Sequence, residues 1–133
     1  MEQKDYILRE IEKISVLLRY LLGKIVPSDK SETIFTKEQL NRELAEELGI
    51  DLNELTKITP EAFIAELSRN EAFNLGNMEL LADLFVQAAL NKMSNKIISL
   101  THALELYQYI DKTGSTYSFE RATKIQTVLK LLT

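Results

Sequence analysis

Apolar residues recur along this chain three and four positions apart, the spacing that keeps them on one side of an α-helix. The first stripe is Ile7, Ile11, Ile14, Leu18, Leu21 and Ile25, with Asp5, Arg9 and Glu12 on the far side. It predicts a long helix from about Glu2 to Ile25, which Gly23 and Pro27 bring to an end. Val16 and Tyr20 lie opposite the stripe, with Leu17 beside them. A helix that is apolar on two sides is expected to be covered on two sides. The cover is either the middle of the chain or a second copy.

Residues 27–35 read as a polar connection. Thr36 and Gln39 then hold the reciprocal positions of a capping box, ahead of a stripe of Leu40, Leu44 and Leu48. Gly49 suits the left-handed stop of that helix. Asp51 with Glu54 opens a short helical turn. Thr59-Pro60 opens the next helix, with Phe63, Ile64 and Leu67 as its apolar side. Asn74 to Asn77, containing Gly76, reads as a turn. Asn77 is the expected cap of a helix to about Lys92, with Leu80, Leu81, Leu84, Phe85 and Ala88 inward. Ser94-Asn95 breaks the pattern. A helix to about Lys112 follows on Ile97, Leu100, Leu104, Tyr107 and Ile110, and Gly114 ends it. Ser118 caps the last helix, whose stripe is Ala122, Ile125, Leu129 and Leu132. No segment alternates apolar and polar residues as a strand does. The expected fold is all-α in a single domain over 1–133. A long N-terminal helix (1–26) and middle helices (36–69) precede antiparallel helical hairpins (77–133).

Composition agrees with this pattern. The 133 residues are 45% apolar, enough for one packed core without metal or disulfide staples, and 4 Gly and 2 Pro are too few for many strands and tight turns. Cysteine is absent, which excludes disulfides, thiolate nucleophiles and Cys-based zinc sites. Charged residues at Glu2, Lys4 and Asp5 stand where a secretory leader needs an apolar stretch, and Arg19 stops the run Val16-Leu17-Leu18. The expectation is a cytoplasmic chain with neither signal peptide nor membrane span. The net charge of −4 is uneven: residues 28–70 carry 10 acids against 5 bases, and residues 96–133 carry 5 bases against 3 acids. An acidic whole argues against nucleic acid as a partner, since phosphate contacts need Lys and Arg.

Three resemblances carry structural expectations. Met78 to Asp111 spans about 34 residues, the length of a tetratricopeptide (TPR) helical hairpin. Ala103, Tyr107 and Ile110 look like the small, aromatic and apolar positions of that repeat's second helix. The first helix departs from the repeat, because the expected Leu-Gly pair falls across the break after Lys92. The half is thus TPR-like in shape. The whole chain resembles a loosely defined family of uncharacterised small bacterial helical proteins. That likeness rests on Lys4-Asp5-Tyr6-Ile7-Leu8-Arg9, Ile11-Glu12, Ala103-Leu104-Glu105-Leu106-Tyr107 and Thr116-Tyr117-Ser118-Phe119-Glu120-Arg121. It implies a helical fold with a TPR-like tail and implies no activity. Leu44 to Asn53 resembles the first helix and turn of a helix-turn-helix DNA reader. There the groove-reading segment is cut short by Thr59-Pro60 and offers only Lys57 as a cation, so a capped helix with a glycine stop accounts for the pattern.

Candidate chemistry is sparse, and no catalytic, cofactor or metal residues are assigned. His102 is the only histidine, with Glu105 nearby and no second His to complete a metal site. Glu43 with Glu47, and Glu79 with Asp83, pair carboxylates four apart, but neither pair has the Glu-x-x-His partner of a di-metal bundle; both read as solvated faces. Gly23-Lys24 lacks the rest of a phosphate loop. Tyr107 and Phe119 are expected to close the core between the last two helices, and Tyr109 to be exposed. The candidate interaction surface is Val16, Tyr20, Tyr109 and Tyr117. The expected function is non-enzymatic protein–protein interaction, with a partner helix or peptide in a groove of the C-terminal helices. Alternatives are a small-molecule pocket or enzyme subunit using Tyr hydroxyls or His102, a homodimer through helix one, and a helix-turn-helix DNA binder.

Overall fold

The N-terminal stripe folds as one helix, α1, Glu2–Ile25, with Ile14, Leu18, Leu21 and Ile25 buried along it. The computed structural model describes residues 2–25 and 35–133, and the polar connection expected over 27–35 lies almost wholly outside them. Then follow α2 (Lys37–Leu48), a 3-10 turn (Leu52–Lys57), α3 (Pro60–Ser68), α4 (Leu75–Leu90), α5 (Lys96–Thr113) and α6 (Phe119–Leu132). Among the described residues there is no strand.

Side-chain caps set the starts. Thr36 and Gln39 close both bonds of the capping box on α2. Thr59, Asn95 and Ser118 each accept from a backbone N–H in the first turn of α3, α5 and α6. At the end of α2 the backbone turns left-handed at Gly49 (φ +68°), whose N–H returns to the Ala45 carbonyl.

The α4–α5 hairpin is the centre of the fold. It is closed at one end by the Met93 N–H on the Ala88 carbonyl, 2.8 Å. At the other end Leu75 approaches Gly114. The hairpin reaches beyond the 34-residue unit at both ends. α1 lies along α4 in the same direction: Ser15 meets Asn77 near the start of α4, and Leu22 comes alongside Val86 and Leu90 near its end. α6 returns along α5 and also runs parallel to α4, with Lys124 beside Asp83 and Val128 near Val86.

Several side chains stand elsewhere than the apolar spacing predicts. The cap of α4 is Asn74, and the helix starts at Leu75, so Gly76 lies inside its first turn. Asn77 is buried within that helix and is the polar clamp onto α1. Its amide nitrogen donates to the carbonyls of Ile11 (3.0 Å) and Ala72 (2.9 Å), and its oxygen accepts from the Ser15 hydroxyl at 2.6 Å. A buried amide needs such partners, and three of its hydrogen-bonding positions are filled. Ile97 is exposed, because the buried face of the first turn of α5 runs through Ser99 and Leu100 and leaves Ile97 toward solvent. On α6 the buried face is Arg121 and Val128, and Leu129 is turned outward. Phe119 is 77% exposed, because the first turn of α6 is anchored by Arg121 two residues on. Tyr107 is buried, as expected. The helix-turn-helix likeness ends at Gly49. After Ile50 and Asp51 the chain forms the 3-10 turn Leu52–Lys57, with Leu52 and Leu55 buried, so no recognition helix directly follows the glycine stop.

Candidate functional site

α1 and α6 flank α4 without closing over it, and an open groove runs between them along its length. Toward the end of α4 the groove is apolar, about 420 Å³, with Leu22, Val86, Leu90 and Val128 in its lining and Thr123 and Thr127 along the α6 side. Toward the start of α4 it is polar, about 280 Å³, and lined by Ser15, Arg19, Asn77, Glu79 and Lys124 among others. Asp83 and Lys124 line both halves. The floor is the face of α4 that α1 and α5 leave uncovered, where Val86 and Leu90 lie among Glu79, Asp83 and Gln87.

A cluster of charges holds the α6 wall in place. The Arg121 side chain is 8% exposed. Its Nε donates to Asp111 at 2.6 Å, one Nη to Glu79 at 2.9 Å, and the other to the Thr116 carbonyl at 3.3 Å. Lys124 donates to the other oxygen of Glu79 at 2.9 Å and lies 3.1 Å from Asp83. The Tyr107 hydroxyl donates to Asp83 at 2.6 Å. Glu79 and Asp83 are therefore not a solvated face: both are half-buried and tie α4 to α6. Burial alone would raise the Glu79 carboxyl, but hydrogen bonds from Lys124 and Arg121 outweigh it and hold the group below the usual range. Burial would lower the Lys124 ammonium, and Glu79 and Asp83 reverse that and raise it. The hydrogen bond to Asp111 raises Arg121 further. Burial, then the Asp83 charge, raises Tyr107 far above the ordinary phenol value. These four groups keep their neutral-pH charge states; the cluster is a fixed electrostatic wall.

His102 lies on another side of α5. Its Nε2 is 3.1 Å from the Leu55 carbonyl, so that nitrogen carries the proton and donates. The ring stands edge-on to Phe63 and Phe85, with centroids 5.4 and 6.4 Å away. Nδ1 is buried without a hydrogen-bond partner. Burial lowers the pKa, against the opposing pull of the Leu55 and Ile58 carbonyls. The unfolded chain binds the proton more readily than the folded one. Stability is therefore full above the ordinary value of 6.5 and falls as pH drops from there through the depressed value. Urea unfolding at about pH 7.5 and about pH 5 is expected to show this loss, and His102→Gln, which keeps a donor, to reduce it.

The surface residues singled out from the sequence are not brought together. Val16 (56% exposed) and Tyr20 stand on the outer face of α1, away from the groove. Tyr109 is half-buried, not exposed, at a shallow hollow formed with Ile64 and Glu105. Tyr117 is 76% exposed, in the connection before α6. Glu43 is half-buried with one oxygen unpartnered, while Glu47 is exposed. Apolar spacing passed over Arg121, Lys124, Val86, Leu90 and Val128. Arg121 and Val128 do lie seven apart, which is two helical turns, but a stripe of apolar residues has no place for an arginine. Among the described residues no three His, Asp or Glu side chains gather as a metal site, and no helix is long and apolar enough to cross a membrane. Comparison with protein-family models, curated proteins and solved structures finds no match for this chain.

Proposed function

We propose that this chain is a non-enzymatic interaction module that takes an amphipathic segment of a partner protein in the groove between α1 and α6. The observation that carries the reading is the division of the groove along α4. An apolar half lies beside a polar half in which Glu79, Asp83 and Lys124 are fixed by one another and Arg19 is exposed. An extended or helical segment laid along α4 would seat apolar side chains over Val86 and Leu90. It would turn its polar end toward Arg19 and Lys124. Helix-in-groove recognition works in this way, with apolar anchors supplying affinity and flanking charges setting direction.

The test is capture from native cells with three forms of the protein. Thr127→Arg fills the groove from an exposed position, and Gln126→Arg puts the same charge on an exposed position outside the groove lining. A partner retained by the wild type and by Gln126→Arg but lost with Thr127→Arg is the expected result. A partner retained equally by all three would place its binding elsewhere and end this reading.

A further inference from the structure

We infer that the outer face of α1 is a self-complementary seam that pairs antiparallel with α1 of a second copy. This rests on a different face from the groove and does not depend on it. Tyr6, Arg9, Lys13, Val16 and Tyr20 follow one another three and four apart, with Lys24 a further four on. All six are exposed. The spacing is that of a two-helix seam, and the stripe from Tyr6 to Lys24 is about 27 Å long. Tyr6 (58%) and Val16 (56%) are among the most exposed large apolar residues of the fold, and Tyr20 lies close behind. Such side chains are unusual in a line on a solvated helix face.

The order of charges selects both the occupant and the direction. The cations Arg9 and Lys13 fall in the first half of the stripe, and Val16 and Tyr20 in the second. A parallel pair in register would set Arg9 on Arg9 and Lys13 on Lys13, like against like. Reversal about a point near residue 15 removes both conflicts. Arg9 then faces Tyr20 of the second copy, Tyr6 faces Lys24, and Lys13 lays its stem along Val16 and Leu17. Cation–π contact suits the first two pairs, and within one chain Lys24 already lies 5.6 Å over the Tyr20 ring. On one flank Glu12 comes opposite Arg19. A face that is complementary to its own reversed copy makes a closed two-fold dimer. An anionic lipid surface fits less well, because Asp5, Glu10 and Glu12 border the same stripe.

The chain has no cysteine, so single engineered cysteines report the geometry without interference. Sedimentation equilibrium is expected to give the mass of a dimer, halved by Tyr20→Lys, which sets a cation against Arg9 of the second copy, with an unchanged helical circular dichroism spectrum. Under mild oxidation, Tyr6→Cys chains mixed with Lys24→Cys chains should form a mixed disulfide, while Tyr6→Cys alone should not cross-link. A monomer at every concentration would overturn the inference, as would a dimer mass untouched by Tyr20→Lys. So would Tyr6→Cys chains that cross-link to themselves as readily as to Lys24→Cys. Adsorption of a monomeric protein to anionic vesicles would assign the face to lipid and overturn it as well.

Discussion

Phe85→Ala is expected to cost about 4 kcal/mol, the largest single loss in this fold. Phe85 is fully buried at the middle of α4, and its ring lies 5.9 Å from Phe63 and 6.4 Å from His102. It is thus the place where α3, α4 and α5 touch through aromatic faces and edges. Truncation removes the transfer energy of the ring and leaves a cavity that three helices, joined by short connections, cannot collapse to fill. Domains of this size are held together by roughly 5–15 kcal/mol, so the variant would sit near the edge of folding. Chemical unfolding followed by circular dichroism measures the loss. Phe85→Leu, which keeps most of the apolar volume, is expected to retain more than half of the stability that Phe85→Ala gives up.

Arg121→Ala is expected to cost about 3 kcal/mol, less than Phe85→Ala and by a different route. The guanidinium is nearly buried and satisfies Asp111, Glu79 and the Thr116 carbonyl together. Its removal leaves Glu79 with Lys124 alone and leaves the Thr116 carbonyl without that donor. Asp111 is 42% exposed, so water replaces part of what it loses, which places the estimate at the lower end of the range for broken buried pairs. Arg121→Lys keeps the charge but cannot reach three acceptors in three directions. Its melting temperature is expected between those of the wild type and Arg121→Ala. Equal melting of all three would mean that the cluster contributes nothing to holding α6.

The positions that were legible in the sequence are those where one helix face meets one core. The α1 stripe from Ile14 to Ile25, Leu40 and Leu44 on α2, and Phe63, Ile64 and Leu67 on α3 are buried as their spacing predicts, while Ile7 and Ile11 are half-buried. Caps were legible for the same reason, since Thr36, Thr59 and Ser118 act on backbone groups two or three residues away. α4 was harder to read. Leu81, Leu84, Phe85 and Ala88 are buried as their spacing predicts, but the helix is covered by α1, α5 and side chains of α6, so apolar residues occupy most of its circumference and Glu79, Asp83 and Gln87 interrupt them. Asn77, polar and just ahead of an apolar run, looks like a cap by local rules. Its buried role depends on Ser15 and Ile11, more than sixty residues away in the chain. The groove was not legible at all. It exists because α1 and α6, which are distant in sequence, lie along the same helix without touching closely. Glu79 and Asp83 read as solvated for the same reason: Arg121 and Lys124 approach them from the other end of the chain. The expectation of an all-α fold with an N-terminal helix and helical hairpins therefore holds, while the faces that matter for binding follow from tertiary placement.

A photo-reactive benzoylphenylalanine placed at Thr127, and in a separate protein at Gln126, tests the groove most directly when both are exposed to native cell extract. A discrete adduct is expected from Thr127, beside the apolar half of the groove, and none from Gln126 on the same helix outside it. Matching adducts from both positions, or an adduct from Gln126 alone, would contradict the assignment of this groove as the site where a partner docks.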